Sequence, residues 1–86
     1  MRLRSFIDFC ASQQIYLLRD DVRFIDDALN YFLKNEQKRI LERYIQEWHK
    51  GIEMTENEAK KQNLGRRAAN NWLREAVEGR KRIYVP

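Results

Sequence analysis

The chain is short, basic and rich in charge: its 86 residues carry a formal net charge of +4, with 43% hydrophobic and 35% charged side chains. A chain of this length holds one domain with one core, which excludes enzymes built on large or multi-domain folds. With 3 Gly and 1 Pro there is little material for tight turns or hairpins, and the mixed signs of the charges argue against disorder. The composition therefore favours a small all-helical domain.

Compartment and membrane signals point to a cytoplasmic protein. Cys10 is the single cysteine, so the chain forms no internal disulfide, which favours a reducing compartment. The longest apolar run, residues 15–18, is far shorter than the ~20 residues of a membrane span. Arg2 and Arg4 are not followed by the roughly 7–15 apolar residues of a secretory signal. We expect a cytoplasmic chain with no membrane partner.

The first predicted helix runs from about Phe6 to Gln14. Ser5 and Asp8 resemble a capping box that would start it. Its apolar face consists of Phe6, Ile7, Phe9 and Cys10. Residues 15–18 follow as a short apolar connector, since no second apolar run of this kind offers a partner strand.

The second predicted helix opens at residues 19–21, with Asp20 as its N-cap and Asp21 beside the positive end of the helix dipole. Apolar residues then recur at helical spacings of 3, 4 and 3, at Val22, Ile25, Leu29 and Phe32.

The third predicted helix is capped by Asn35. It carries an apolar stripe of Ile40, Leu41, Tyr44, Ile45, Trp48 and Ile52. Gly51 costs about 1 kcal/mol inside a helix, so we expect the helix to end near it.

Residues 53–63 have almost no apolar rhythm, and two interpretations remain open. Thr55 and Glu58 form a second capping box that would start a short fifth helix at 56–62. The alternative is a mostly irregular link before the last helix.

The last predicted helix runs from about Leu64 to Glu78, with Gly79 as its stop. Gly65 and Ala69 lie four residues apart and would let another backbone approach closely. We expect a helical domain over residues 1–79, followed by a basic C-terminal tail over residues 80–86.

The segment from Thr55 to Leu73 resembles the helix-turn-helix of bacterial regulators at Thr55, Glu58, Ala59, Leu64-Gly65 and Trp72-Leu73. The Leu-Gly pair falls about one residue late for that motif, and Trp72 about two residues early. A continuous helix through Gly65 explains the same residues, so no family is assigned.

The predicted fold is a compact all-α bundle of four main helices, with the fifth helix at 56–62 as the open alternative. Its predicted core is Phe6, Phe9, Cys10, Val22, Ile25, Leu29, Phe32, Leu41, Tyr44, Ile45, Trp48, Ala69, Trp72, Leu73 and Ala76.

Catalytic and metal chemistry find little support in the residues. One His and one Cys cannot supply the ligands of a zinc site without several carboxylates. Cys10 lies on an apolar face and behaves as a small hydrophobe, and His49 is a packing residue beside Trp48. The carboxylates Asp20, Asp21, Asp26 and Asp27 do not have the spacing of a calcium loop. We expect no enzyme activity, metal or cofactor.

The positive charge is concentrated at one end of the chain. Residues 1–59 hold 9 Lys/Arg and 11 Asp/Glu, a net charge of −2, whereas residues 60–86 hold 8 and 2, a net charge of +6. Arg and Asn side chains suit base edges, and cations suit phosphates. We expect a non-catalytic nucleic-acid-binding or regulatory protein that uses Arg66, Arg67, Asn70, Asn71, Arg74, Arg80, Lys81 and Arg82.

A protein-interaction module is the alternative, such as an adaptor or an inhibitor, with a link to a phage or mobile element. The wide apolar face of the second helix and the apolar end at residues 83–85 favour it. A homodimer fits either function, with contact through the Gly65–Ala69 face or through the C-terminal tail.

Overall fold

Four α-helices account for the secondary structure of residues 3–84. The computed structural model describes residues 3–84, with side chains up to residue 82. The helices are α1 (Leu3–Ser12), α2 (Arg19–Leu29), α3 (Lys34–Glu53) and α4 (Glu58–Tyr84). No strand occurs between residues 3 and 84. The all-α prediction with four main helices is therefore confirmed.

Helices α2 and α3 begin with the same capping interaction, which differs from the predicted N-caps. Leu18 precedes α2 in an extended conformation, and its N–H donates to Asp21 Oδ2 at 2.9 Å. Leu33 precedes α3 in the same way, and its N–H donates to Glu36 Oε1 at 2.9 Å. A carboxylate at the third helical position reaches back to the backbone N–H before the helix. The predicted N-caps Asp20 and Asn35 are therefore wrong.

Helix α1 begins at Leu3, so Ser5 lies inside the helix instead of capping it. The chain leaves α1 through Gln14, whose φ of 61° lies in the left-handed region and takes the backbone out of the helical conformation. The connector that follows is held by Gln62 of α4, whose amide donates to the Gln14 carbonyl at 2.7 Å and accepts from the Tyr16 N–H at 3.1 Å. This clasp places the connector residue Ile15 in the core at 1% exposure.

Helices α3 and α4 run antiparallel and approach most closely at two glycines. A Cβ on Gly51 would lie 2.4 Å from the Leu64 carbonyl oxygen, and a Cβ on Gly65 would lie 2.4 Å from Trp48 Cδ1. Gly51 is therefore required inside α3, which continues to Glu53 and does not end at this glycine. The close approach expected at Gly65 occurs within the chain itself. Because Gly65 and Ala69 are both buried, this face cannot serve as the predicted dimer contact.

Helix α4 is longer than predicted at both ends. Asn57 starts it, since Asn57 Oδ1 accepts the Ala59 N–H at 2.9 Å, and Thr55 instead accepts the Asn57 N–H. No separate helix forms at 56–62, because residues 58–62 are the beginning of α4. Gly79 keeps a negative φ and does not stop the helix. Residues 80–84 of the predicted tail are thus helical, whereas residues 85–86 lie outside the described part.

The core forms where α1 and α2 cover the α3–α4 pair. Phe6 of α1 meets Tyr44 of α3 edge-on, with ring centroids 6.3 Å apart. The buried apolar residues are Phe6, Cys10, Ile15, Ile25, Ala28, Leu41, Tyr44, Trp48, Ala69, Leu73 and Val77. Of the predicted core, only part is fully buried; Val22, Leu29, Phe32, Ile45, Trp72 and Ala76 are half-buried. Phe9 was predicted wrongly, because it is 50% exposed.

A helix that crosses a bilayer has to be both long and apolar. Within residues 3–84, none of the four helices combines the length and the hydropathy that crossing a bilayer requires.

Candidate nucleic-acid interface

A line of four cations runs along the solvent side of α4. Lys60, Arg67, Arg74 and Lys81 recur at every seventh position, and all four are exposed. Seven residues make nearly two full helical turns, so the four side chains share one face of the helix. At a rise of 1.5 Å per residue, neighbours are about 10 Å apart and the line is about 30 Å long. We call these four residues the cationic ridge.

The first half of the ridge keeps its charge unopposed. Within the described residues, neither Lys60 nor Arg67 pairs with a carboxylate. Between them the outward side of α4 carries the exposed amide of Asn63, and Asn71 lies beyond Arg67. Arg67 and Asn71 border a shallow hollow together with Met54, Leu64 and Ala68. This part of the ridge therefore presents cations and amides to solvent without an acidic residue among them.

The second half of the ridge is held in place by aromatic rings of α2 and the turn after it. The Arg74 guanidinium lies over the Phe24 ring at 5.8 Å and donates to Asn71 Oδ1 at 3.2 Å. Cation–π contacts orient a cation without neutralising it. Lys81 lies 5.1 Å over the Tyr31 ring, but its Nζ is also 3.5 Å from Glu78 Oε1. Arg74 thus keeps its full charge, whereas Lys81 shares its charge with a carboxylate.

Arg66 points inward and is fully engaged by the chain. Its Nε donates to Asp21 Oδ2 at 2.6 Å, and its Nη2 donates to the Tyr16 carbonyl at 2.9 Å. Its Nη1 donates to Asn63 Oδ1 at 3.0 Å, and the guanidinium lies over the Trp48 ring at 5.3 Å. Asp21 is only 4% exposed. The arginine therefore ties α4 to α2, α3 and the connector, and is not available to a ligand.

Asn70 is the second candidate residue that turns inward. Its Nδ2 donates to Asp21 Oδ1 at 3.0 Å, and its Oδ1 accepts the Tyr44 hydroxyl proton at 2.6 Å. Burial is the main reason why the pKa of Tyr44 is raised far above its usual value, and the charge of Asp21 adds to the effect. Tyr44, Asn70, Asp21 and Arg66 form one hydrogen-bonded chain, which we call the polar network.

Arg80 pairs with Glu36 at the start of α3 and lies 5.2 Å over the Phe32 ring. The hydrogen bond from Arg80 is the largest cause of a lowered pKa for Glu36, and the Leu33 N–H adds to it. Arg80 therefore lies on the inner side of α4, away from the ridge. Arg82 is exposed beside Glu75 and Glu78.

The eight candidate residues thus divide into two groups. Five are exposed on the outer side of α4: Arg67, Asn71, Arg74, Lys81 and Arg82. Three are bound within the fold: Arg66, Asn70 and Arg80. Lys60 belongs to the ridge, but the sequence left it either in a short fifth helix or in a link, because the last helix was predicted to begin at Leu64, six residues after its start at Glu58. A continuous seven-residue spacing of cations was the signal that could have found it.

The other reactive groups among residues 3–84 do not form a site. Burial raises the pKa of the Cys10 thiol to about 12, so this cysteine is held in its neutral, unreactive form. Within residues 3–84, no cluster of three or more His, Cys, Asp or Glu side chains could hold a metal ion.

Comparison with known proteins adds no relative: the chain matches no family model, no curated protein and no solved structure.

Proposed function

We propose that this chain is a non-catalytic nucleic-acid-binding protein that contacts the phosphate backbone through the cationic ridge of α4. The observation that carries the proposal is the seven-residue spacing of Lys60, Arg67, Arg74 and Lys81 on one exposed face. A rigid helix holds these charges in line, so they can meet several phosphates at once. Counterion release from those phosphates supplies the binding free energy.

The division of the candidate residues bears on specificity. Asn70 uses both ends of its amide within the polar network, whereas Asn71 uses its Oδ1 as the acceptor for Arg74, so the Asn71 N–H groups are the candidate amide donors that remain for a base edge. Contacts to phosphates carry no sequence information. We therefore propose binding with little sequence preference, dominated by charge and strongly weakened by salt.

The test is a titration of labelled duplex DNA and single-stranded RNA by fluorescence anisotropy across a salt series. If all four ridge cations contact phosphates, the logarithm of the association constant falls with the logarithm of salt concentration with a slope of about −3.6 on a duplex. Between ~50 and ~200 mM salt, affinity then drops on the order of 100-fold. Absence of binding to both probes at ~50 mM salt contradicts the proposal.

A matched pair of double variants separates the ridge from net charge alone. Arg67→Ala/Arg74→Ala removes two ridge cations and should lower the slope by about 1.8. Arg23→Ala/Arg39→Ala removes the same charge from exposed positions on α2 and α3. If both variants weaken binding equally, the interaction is a response to net charge and the ridge has no special role.

A protein partner is the second candidate function, and the mixed charge of the C-terminal half of α4 favours it. Glu75 and Glu78 lie among Arg74, Lys81 and Arg82 on the outer side. The variant Glu75→Gln/Glu78→Gln discriminates the two functions. It should strengthen nucleic-acid binding by removing repulsion from phosphates, whereas it should weaken a complex with a protein surface that pairs with both signs.

A further inference from the structure

An apolar groove lies between α1 and α3, on elements that do not carry the cationic ridge. It has a volume of about 220 Å³ and is lined by Phe6, Phe9, Lys38, Leu41, Glu42 and Ile45. Its floor and walls are aromatic and aliphatic, and its two charged residues both belong to α3. The groove is thus a hydrophobic hollow with a charged rim.

Phe9 is one of several large apolar side chains that the fold leaves exposed, and it is the one that lines this groove. Its neighbours in α1, Phe6 and Cys10, are 1% and 0% exposed, whereas Phe9 is 50% exposed. Aromatic side chains contribute large apolar areas when they are buried. A partner surface that covered this half-exposed phenylalanine at the mouth of the groove would therefore bury apolar area and stabilise a complex.

The rim of the groove is complementary to itself. Lys38 and Glu42 lie four residues apart on α3, carry opposite charges, and pair with no opposite charge among the described side chains. If two copies of α3 cross antiparallel near residue 40, each Lys38 lies opposite Glu42 of the other copy. A two-fold interface needs a surface that is complementary to itself in this way, since the same patch occurs on both sides.

From these three observations we propose that the groove binds a second copy of this chain, giving a two-fold homodimer. Phe9 of each copy covers the groove of the other, and two Lys38–Glu42 pairs close the rim. Because the apolar patch is small, we expect the dimer to be weak and to form only at high protein concentration. The ridge on α4 is not part of this contact, so the dimer does not depend on the proposed nucleic-acid binding.

The experiment is sedimentation velocity of the full chain over a concentration series, on the wild type and four variants. Phe9→Ser removes the aromatic contact and should give a monomer. Lys38→Glu places like charges opposite each other and should raise the dissociation constant at least about tenfold. The charge swap Lys38→Glu/Glu42→Lys restores opposite charges and should restore the dimer. Met54→Ser removes another exposed apolar side chain, 76% exposed and outside the groove, and should leave the dimer unchanged.

Circular dichroism of each variant separates loss of the dimer from loss of the fold. A wild-type chain that stays monomeric throughout the series overturns the proposal, as does a dimer that Phe9→Ser leaves intact. A charge swap that behaves like Lys38→Glu alone also overturns the proposed two-fold geometry.

Discussion

Asp21 of α2 and Arg66 of α4 form a buried ion pair, with Asp21 Oδ2 2.6 Å from Arg66 Nε. The carboxylate also accepts the N–H of Leu18 and the amide of Asn70, so both of its oxygens are used. Removing charges from water is costly, and a buried pair is tolerated when its remaining hydrogen-bonding capacity is filled. The pair joins the start of α2 to the middle of α4 and thereby orients the helix that carries the ridge.

Removing the carboxylate should destabilise the fold strongly. Asp21→Ala leaves the Arg66 guanidinium largely buried without its counter-charge and removes the hydrogen bond at the start of α2. Breaking a buried pair in this way costs about 3–5 kcal/mol. Urea unfolding followed by circular dichroism measures the change in the free energy of unfolding.

Asp26→Ala is the control for that measurement. Asp26 is an exposed aspartate on the same helix, so its removal should change the free energy of unfolding by no more than about 0.5 kcal/mol. Equal effects of the two substitutions would show that Asp21 contributes no more than an ordinary surface charge.

The glycines of α4 should respond in opposite directions to the same substitution. Gly65→Ala drives a Cβ into the Trp48 ring, with atoms 2.4 Å apart, and should cost about 1–3 kcal/mol. Gly79→Ala meets nothing within 4 Å and replaces an exposed helical glycine, so it should stabilise by about 0.5–1 kcal/mol. Thermal unfolding of both variants tests the pair. A loss of stability with Gly79→Ala would contradict the helical path of residues 80–84.

The Tyr44 hydroxyl should contribute to stability through the polar network. Tyr44→Phe removes the donor to Asn70 Oδ1 and leaves that acceptor without its partner, at a cost of about 1–3 kcal/mol. Tyr16→Phe removes an exposed hydroxyl and should change stability by less than about 0.5 kcal/mol. Urea unfolding of the two variants compares them directly.

Tyr44 also predicts how stability changes at alkaline pH. Its pKa is raised by folding, so above the ordinary tyrosine value of about 10 the folded chain holds a proton that the unfolded chain loses. The contribution of this group is complete below pH ~10 and is lost as the pH rises beyond it. An absorbance titration of tyrosinate should show a late-ionising component in the wild type that Tyr44→Phe removes.

Glu36 predicts the opposite behaviour at acid pH. Its pKa is lowered from 4.5, first by Arg80, so the folded chain releases a proton that the unfolded chain still binds. The contribution of Glu36 is complete above pH ~4.5 and is lost as the pH falls through its lower folded pKa. Titration by NMR should show the pKa of Glu36 rising toward 4.5 in Arg80→Gln. An unchanged value would assign the lowering to the Leu33 N–H alone.

Local patterns in the sequence were sufficient to identify the helices but not to place their ends. The 3-4-3 spacing of apolar residues identified α2, and the stripe from Ile40 to Ile52 identified α3, because helical periodicity is a property of neighbouring residues. The predicted N-caps of α2 and α3 were wrong, because each helix is preceded by a leucine whose N–H donates to a carboxylate at the third helical position. Neither Gly51 nor Gly79 ends its helix, although the sequence predicted that both would. Gly51 is needed because the backbone of α4 packs against it, whereas Gly79 is exposed to solvent within a long helix.

The sequence correctly predicted that most of the candidate residues lie on a helix, but only some of them are exposed to solvent. The sequence placed cations and amides on the last helix, and α4 does expose Arg67, Asn71 and Arg74. It could not show that Lys60 lies on the same face, because the helix start depended on Asn57. Once the bounds of α4 are known, its helical periodicity places Lys60 on the same exposed face as Arg67 and Arg74.

By itself, the sequence determined that this protein is helical, which parts of the chain form its four main helices though not where those helices end, and that its positive charge is concentrated in the last third. Only the tertiary structure decided which of those charges face solvent. Arg66 and Asn70 are 45 and 49 residues away from Asp21 in the chain, yet all three meet in one network. A charge is solvated or paired according to what the fold brings beside it, and that proximity is set by long-range packing, which local sequence patterns do not encode.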